Sequence, residues 1–192
     1  MLSRIKGLLI NHIRQNSNRY FWLFMAFVAG VSAGAFTVNG LSTLQSEELI
    51  HYFQGFLHLM DKQKLNSNEI FILSLQNNVK IIILLWVLGV TIIGIPFIFL
   101  LIVTRGFITG FTSGFIIKIL GLKGAIFNLF AIFPKEFIII PCIIALGVNG
   151  INFSLNITKS KSIKQVLKYN LKADFLSYSM TTIFFSILII GG

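Results

Sequence analysis

The sequence predicts an all-α, polytopic integral membrane helical bundle, and three observations carry that prediction. Of 192 residues, 55% are hydrophobic and only 11% charged, with 20 Phe among them, more apolar surface than a soluble domain of this length can bury. Long runs carry no charge at all, Tyr20 to Val38 and Ile81 to Val103 being the clearest. The segments between such runs are not alike, some purely basic and one largely acidic, which is the pattern that orients membrane proteins. A net charge of +10 would suggest nucleic acid in a soluble chain. Beside a mean hydropathy of +0.85 it instead reports orientation and contact with anionic membrane lipids, so no nucleic acid is expected as a partner.

The first span is 20–38, long enough as a helix, at about 28 Å, to cross the hydrocarbon core. The basic tail 1–19 holds Arg4, Lys6, Arg14 and Arg19 without an acid, which sets the amino terminus in the cytoplasm. A secretory leader shares that charge sense, and Ala33, Gly34 and Ala35 suit a cleavage site, but the tail and the apolar run are both long for one. Helix one is therefore read as retained.

The loop 40–79 carries Glu47, Glu48, Asp61 and Glu69 against Lys62 and Lys64 and belongs outside. Within it Leu49, Ile50, Phe53, Phe56, Leu57 and Met60 recur at helical spacing, and Ser42 with Gln45 resembles a capping box. Asn66 and Glu69 repeat that signal, so the loop reads as an amphipathic helical hairpin whose second arm runs into the next span. His51 and His58 share a face two turns apart, too far to chelate a metal without further ligands.

The second span, 81–103, returns the chain to the cytoplasm at Arg105. Beyond it the uncharged runs shorten, and the parity of crossings decides between spanning and re-entrant readings. Lys159, Lys161, Lys164, Lys168 and Lys172 form the most basic stretch of the chain, and the positive-inside rule places 159–173 in the cytoplasm. That requires 106–122 to cross outward with Arg105 and Lys118 snorkelling, 124–136 to form a short outer element, and 137–158 to cross back. The last run, 175–190, then leaves the carboxyl end outside. Five spans so arranged put ten basic and one acidic residue inside against six basic and five acidic outside.

Small residues recur every fourth position in two spans. Gly106, Gly110 and Gly114 make two overlapping GxxxG steps, each followed by Phe, and Ala26, Gly30 and Gly34 make a second stripe. Close backbone approach is the main attraction between helices in lipid, so these six residues are the candidates for helix packing or for binding a partner, a second copy of the chain included. Pro96 falls at the middle of the 81–103 span, where proline kinks a helix, and Pro134 and Pro141 bracket Lys135 and Glu136 at the start of the fourth span. A broken helix can line a transport path, though a kink that only shapes packing is commoner; the topology puts Lys135 and Glu136 near the outer interface, where their charge is cheap.

No Ser/His/Asp, Cys/His or paired-carboxylate arrangement can be assembled from nearby positions, no phosphate-binding glycine loop precedes a lysine, and Cys142 is the lone cysteine. No enzyme activity, metal or cofactor is expected. The cytoplasmic segments 3–19 and 159–172 mix basic with apolar residues and read as helices on an anionic leaflet, or as a surface for a cytoplasmic partner.

The succession Trp86, Val87, Leu88, Gly89, Ile92, Ile93, Gly94 and Pro96, then Arg105, Gly106, Gly110, Phe111, Thr112, Gly114 and Phe115, resembles the core of the stage II sporulation protein M family. The Pro134 to Pro141 bracket and the opening basic tail with a span ending at Val38 and Asn39 are similar to that family as well. The chain departs from it after Pro134, where Lys135 and Glu136 stand in place of amide-type residues and Ile139 in place of the glutamate of broader relatives. The resemblance implies a polytopic protein of the mother-cell membrane, acting in engulfment during endospore formation. It implies a noncatalytic anchor that recruits or localises stage II sporulation proteins P and D, which degrade septal peptidoglycan. The alternative is a permease-like subunit that moves a small solute or peptide with a partner ATPase, past the second span and the Pro134 to Pro141 element.

Overall fold

The structure, a computed structural model, describes residues 14–62, 67–91, 93–160 and 171–191. Among the described residues every element is helical: α1 Ser17–Asn39, α2 Thr43–Lys62, α3 Ser67–Val90, α4 Gly94–Leu120, α5 Leu122–Phe127, a π-helical turn Asn128–Ile132, α6 Phe133–Ser160 and α7 Leu171–Gly191. The basic segments 1–13 and 161–170, Asn66 and the side chains of Phe56, Leu57, His58 and Met60 lie outside the described residues. Three of the helical runs are long and apolar enough to cross a membrane, Ser17–Asn39, Gly94–Leu120 and Leu122–Ile157, and shorter apolar helices occupy Asn78–Val90 and Tyr178–Ile187. The protein is an all-helical membrane protein.

Side-chain pairings fix how the helices run. Gly30 lies on Val103 and Gly34 on Phe107, while Gly106 lies on Phe27 and Gly110 on Val31, so each four-residue step on α1 is a four-residue step on α4 and the two are parallel. Gly147 of α6 meets Leu23, and one turn further on Asn152 accepts from Arg19, which makes α6 antiparallel to α1. Gly89 of α3 meets Gly150, and Ser154 donates to the Thr91 carbonyl at 2.9 Å, so α3 follows α6. Asn149 donates to the Tyr178 carbonyl and Phe153, one turn further on, meets Phe175 with centroids 6.0 Å apart, which makes α7 antiparallel to α6. Helices α1, α4 and α7 thus run one way, and α3 and α6 the other.

The centre of this arrangement is α6, whose residues Cys142 to Val148 are all buried. Helices α1, α3, α4 and α7 surround it, and Leu23, Leu85, Ile98, Ile102 and Ile189 close on it from every side. The outward residues are apolar too, Phe21, Leu100, Phe130 and Ile187 among them. A helix apolar on all sides has lipid, not water, as its solvent.

Three boundaries differ from the sequence reading. The span drawn over 81–103 is two helices: α3 stops at Val90 and α4 starts at Gly94. The Thr91 hydroxyl donates to the Leu88 carbonyl at 2.8 Å, and the Gly94 amide donates to the Thr91 carbonyl at 3.1 Å, closing a tight turn. A Cβ at Gly94 would stand 1.7 Å from that same Leu88 oxygen, so the turn needs glycine there. Pro96 therefore sits in the first turn of α4, where an amide would have no helical acceptor anyway, and it kinks nothing. The span placed at 106–122 begins twelve residues earlier, at Gly94, and α4 passes unbroken through Arg105. The short outer element 124–136 and the span 137–158 form one helical run from Leu122, widened by the π turn just before Pro134. Proline cannot donate to the carbonyl one turn back and its ring crowds it; a π turn is one of the devices that makes room. Pro141 lies inside α6 without ending it. The outermost spans, 20–38 and 175–190, fall within α1 and α7.

Helix α2 is the amphipathic arm. Gln45 donates its amide to Ser42 Oγ at 3.3 Å, and the Ser42 amide donates to Gln45 Oε1 at 3.2 Å, the reciprocal cap its sequence predicts. Phe53 meets Phe115 of α4 edge to face, with centroids 6.2 Å apart, so one ring of the apolar face rests on the bundle.

Candidate functional site

The place where chemistry is concentrated is the seam between α1, α4 and α6. Four glycines make it narrow. A Cβ at Gly30 would stand 2.2 Å from the Val103 carbonyl oxygen, at Gly34 2.2 Å from that of Phe107, at Gly106 2.3 Å from that of Phe27, and at Gly110 2.1 Å from that of Val31. All four nearest atoms are backbone, which no rotamer change can move. Gly114, the last step of the stripe, is looser, its nearest neighbour being Ala35 at 3.4 Å, and Ala26, one turn before Gly30, is half-buried. The glycine faces of α1 and α4 are thus occupied by each other. The Phe107, Phe111 and Phe115 rings beside the stripe stack in sequence at about one-turn spacing, 6.1 and 6.2 Å between centroids.

Because the backbones are so close, α4 presents its next face to α6, and there Arg105 meets Glu136. Arg105 Nη2 lies 3.2 Å from Glu136 Oε1, with the two side chains 17% and 14% exposed. Arg105 is eleven residues into α4, about 16 Å along its axis, so a charge that reads in sequence as an inner boundary lies well inside the bundle. Glu136, which reads as an outer-interface residue, lies opposite it at the start of α6, while its neighbour Lys135 is exposed. An unpaired charge there would cost several kcal/mol, and pairing is what makes the position tolerable. The pair is not fully satisfied: Arg105 Nε and Glu136 Oε2 are enclosed with no hydrogen-bond partner among the described residues. Fork-to-fork geometry would have used both.

Polar groups nearby fasten the same helices. Asn128, in the π turn, donates to the Ser113 carbonyl at 3.0 Å, and Lys118 donates to the Val38 carbonyl at the end of α1 at 2.9 Å. At the opposite end of α1, Arg19 donates to Asn16 at 2.9 Å and to Asn152 of α6. The Tyr178 hydroxyl donates to the Trp86 carbonyl at 3.0 Å, an approach that Gly89 permits. Among the described residues no three His, Cys, Asp or Glu side chains gather closely enough to hold a metal.

The Arg105–Glu136 partnership is the site that sequence reasoning misses. A signal exists: Glu136 is the sole acid between Glu69 and Asp174, and Arg105 the sole arginine after Arg19. Two lone opposite charges in apolar surroundings are natural partners. A span that ends at Arg105 hides the match, because it sets the two charges on opposite sides of the membrane.

No curated protein and no solved structure matches the chain. The sequence pattern of one family does, the one described as stage II sporulation protein M, and it covers residues 23–192, which takes in most of α1, the glycine seam, the ion pair and α7. The chain therefore belongs to the stage II sporulation protein M family.

Proposed function

We propose that this protein is a noncatalytic scaffold of the mother-cell membrane that recruits or localises septal peptidoglycan-degrading proteins during engulfment in endospore formation. The observation that carries the reading is the family match over residues 23–192. The structure is compatible with it: Arg105, Glu136 and Asn128 in the seam each bond from one helix to another, and α2 holds Glu47 and Glu48 exposed. Stage II sporulation proteins P and D are the partners that reading names. A tagged chain purified from sporulating cells is expected to bring both down, and E47K/E48K to lower their recovery with the chain still inserted. Absence of both proteins from the unaltered chain's eluate would remove the scaffold reading.

The reading also needs α2 on the wall side. The alternating helix directions, with the basic amino end held inside, favour the Thr91–Ile93 turn in the cytoplasm and the Gly121 turn outside. In a C142S background, L122C is expected to react with a membrane-impermeant maleimide in intact cells and I93C only after permeabilisation; both positions are well exposed. Labelling in the opposite order would invert the topology.

A permease-like subunit is the second reading, and the enclosed Arg105–Glu136 pair is the observation in its favour, since ionisable side chains within a membrane often mark a path. It predicts an ATPase in the same eluate in place of proteins P and D.

A further inference from the structure

A crevice of about 460 Å³ opens on the flank of the bundle between α1 and α7, with α6 as its floor. Tyr20, Phe21 and Phe24 form one wall, Pro141 and Ala145 the floor and Phe185 the other wall. Every one of these side chains is apolar or aromatic. The crevice runs from the level of Tyr20, where the first uncharged run begins, toward the middle of the bundle at Pro141.

Its amino-terminal end is not apolar. Arg19 adjoins Tyr20, and its bonds to Asn16 Oδ1 and Asn152 Oδ1 both use the same nitrogen, Nη1. Those two amides pin the guanidinium between α1 and α6, next in sequence to Tyr20 of the crevice wall. Arg14 lies about one and a half turns further out on the amino-terminal side and is exposed. A tyrosine at this height is the usual marker of the membrane–water boundary, so the fixed cation lies at phosphate level and the apolar trough at acyl-chain level.

We propose that this crevice is a binding site for one anionic phospholipid, an acyl chain lying along Phe21, Phe24, Pro141 and Ala145 and the phosphate at Arg19. Charge complementarity selects this occupant over a zwitterionic lipid: a basic residue held between membrane helices at the cytoplasmic side is the arrangement that captures anionic head groups. Asn16 and Asn152 are positioning residues, since both accept from Nη1 and so hold one edge of the guanidinium between α1 and α6. The site differs from general attraction of the basic tail to the inner leaflet, because it demands a chain-shaped cavity and one particular arginine.

The test uses the purified full-length chain in detergent, incubated with mixed micelles holding equal phosphatidylglycerol and phosphatidylcholine of identical chains, with retained lipid counted by native mass spectrometry. Phosphatidylglycerol is expected to be retained about fivefold over phosphatidylcholine, the ratio one arginine supplies. R19Q should bring that ratio close to one. A145F, which fills the floor, should lower retention of both lipids; because Ala145 is buried, F24R on the exposed rim is the companion variant, expected to expel the acyl chain without entering the core. Equal retention of the two lipids by the wild type, or unchanged retention in F24R, overturns the proposal.

Discussion

Leucine at Gly110 is expected to take the bundle apart at the α1–α4 seam. The nearest atoms to a Cβ there are the carbonyl oxygen, carbonyl carbon and Cα of Val31, at 2.1, 2.7 and 2.8 Å, all main chain. A clash with a side-chain tip is relieved by a rotamer change; this one is relieved only by moving α1 bodily. Because Gly30, Gly34 and Gly106 interlock on the same two helices, separating them at one point forfeits the close approach along the whole seam, and lipid offers no hydrophobic compensation for it. Overpacking a well-fitted core costs about 1–3 kcal/mol and occasionally more, and G110L belongs at the upper end. G34L should behave alike, since its Cβ would stand 2.2 Å from the Phe107 carbonyl oxygen. Two controls separate sterics from loss of glycine as such. G114A meets nothing nearer than 3.4 Å and should be within about 0.5 kcal/mol of wild type, whereas G55A, with open space around it on α2, should stabilise by about 0.5–1 kcal/mol through helix propensity. Thermal unfolding in detergent reads all four, and a wild-type midpoint for G110L would mean that the seam is not what holds α1 to α4.

How much of this is legible in the sequence depends on what kind of signal each feature leaves. The glycine stripes are legible because four-residue spacing is a one-dimensional record of a helix face, and α1 and α4 carry them where they touch. The outermost helices are legible because an uncharged run of membrane length has no counterpart in a soluble core. The Ser42–Gln45 cap is legible because a capping box is local. The break at Thr91–Ile93 is not: hydropathy reads 81–103 as one unbroken apolar stretch, and the cues for a turn, Gly94 under the Leu88 carbonyl and Thr91 bonded back to Leu88, act through backbone geometry that hydropathy does not sense. Pro96 stands out in the sequence but does not say which event it marks, since proline is as much at home in a first turn as at a kink. The apparent boundary at Arg105 has the same origin. With α4 starting at Gly94, Arg105 lies well over one-third of the way along a membrane-length helix and needs a partner, which a charge at a helix end does not. The two shifts compensate, so the described residues still hold five apolar helices, three of them long enough to cross a membrane.

That partner sets the second large expectation. Removing either side chain of the Arg105–Glu136 pair strands the other in the interior, and breaking a buried pair in this way costs about 3–5 kcal/mol. R105A and E136A should each fall in that range, measured as loss of folded protein on heating in detergent. The pair itself is another matter. It makes one contact at 3.2 Å, and it leaves Arg105 Nε and Glu136 Oε2 without partners, so its net worth against an apolar filling is small or negative. R105M/E136L should therefore recover most of the stability that R105M and E136L each lose alone, a coupling of about 2 kcal/mol or more in a double-mutant cycle. Additive losses would show that the two side chains act independently and that 3.2 Å is proximity without interaction. The double variant also separates stability from use. If R105M/E136L folds, inserts and still brings down proteins P and D, the pair serves to align α4 with α6. If it folds and inserts but recruits nothing, the two charges contribute to function directly, and an apolar stripe in their place cannot substitute. The arithmetic of pairing favours the first outcome for stability, yet a pair so poorly satisfied is an odd choice for alignment alone, since leucines would align the helices at lower cost. What an ion pair does that leucines do not is fix one register: Arg105 one turn away from Glu136 would be a buried charge without a counterion, so sliding α4 along α6 is forbidden in both directions. The glycine steps between α1 and α4 would accept a four-residue slip that puts each glycine on its neighbour's seat; a charged partner on α6, itself bonded to α1 through Arg19 and Asn152, makes one register of α4 the stable one.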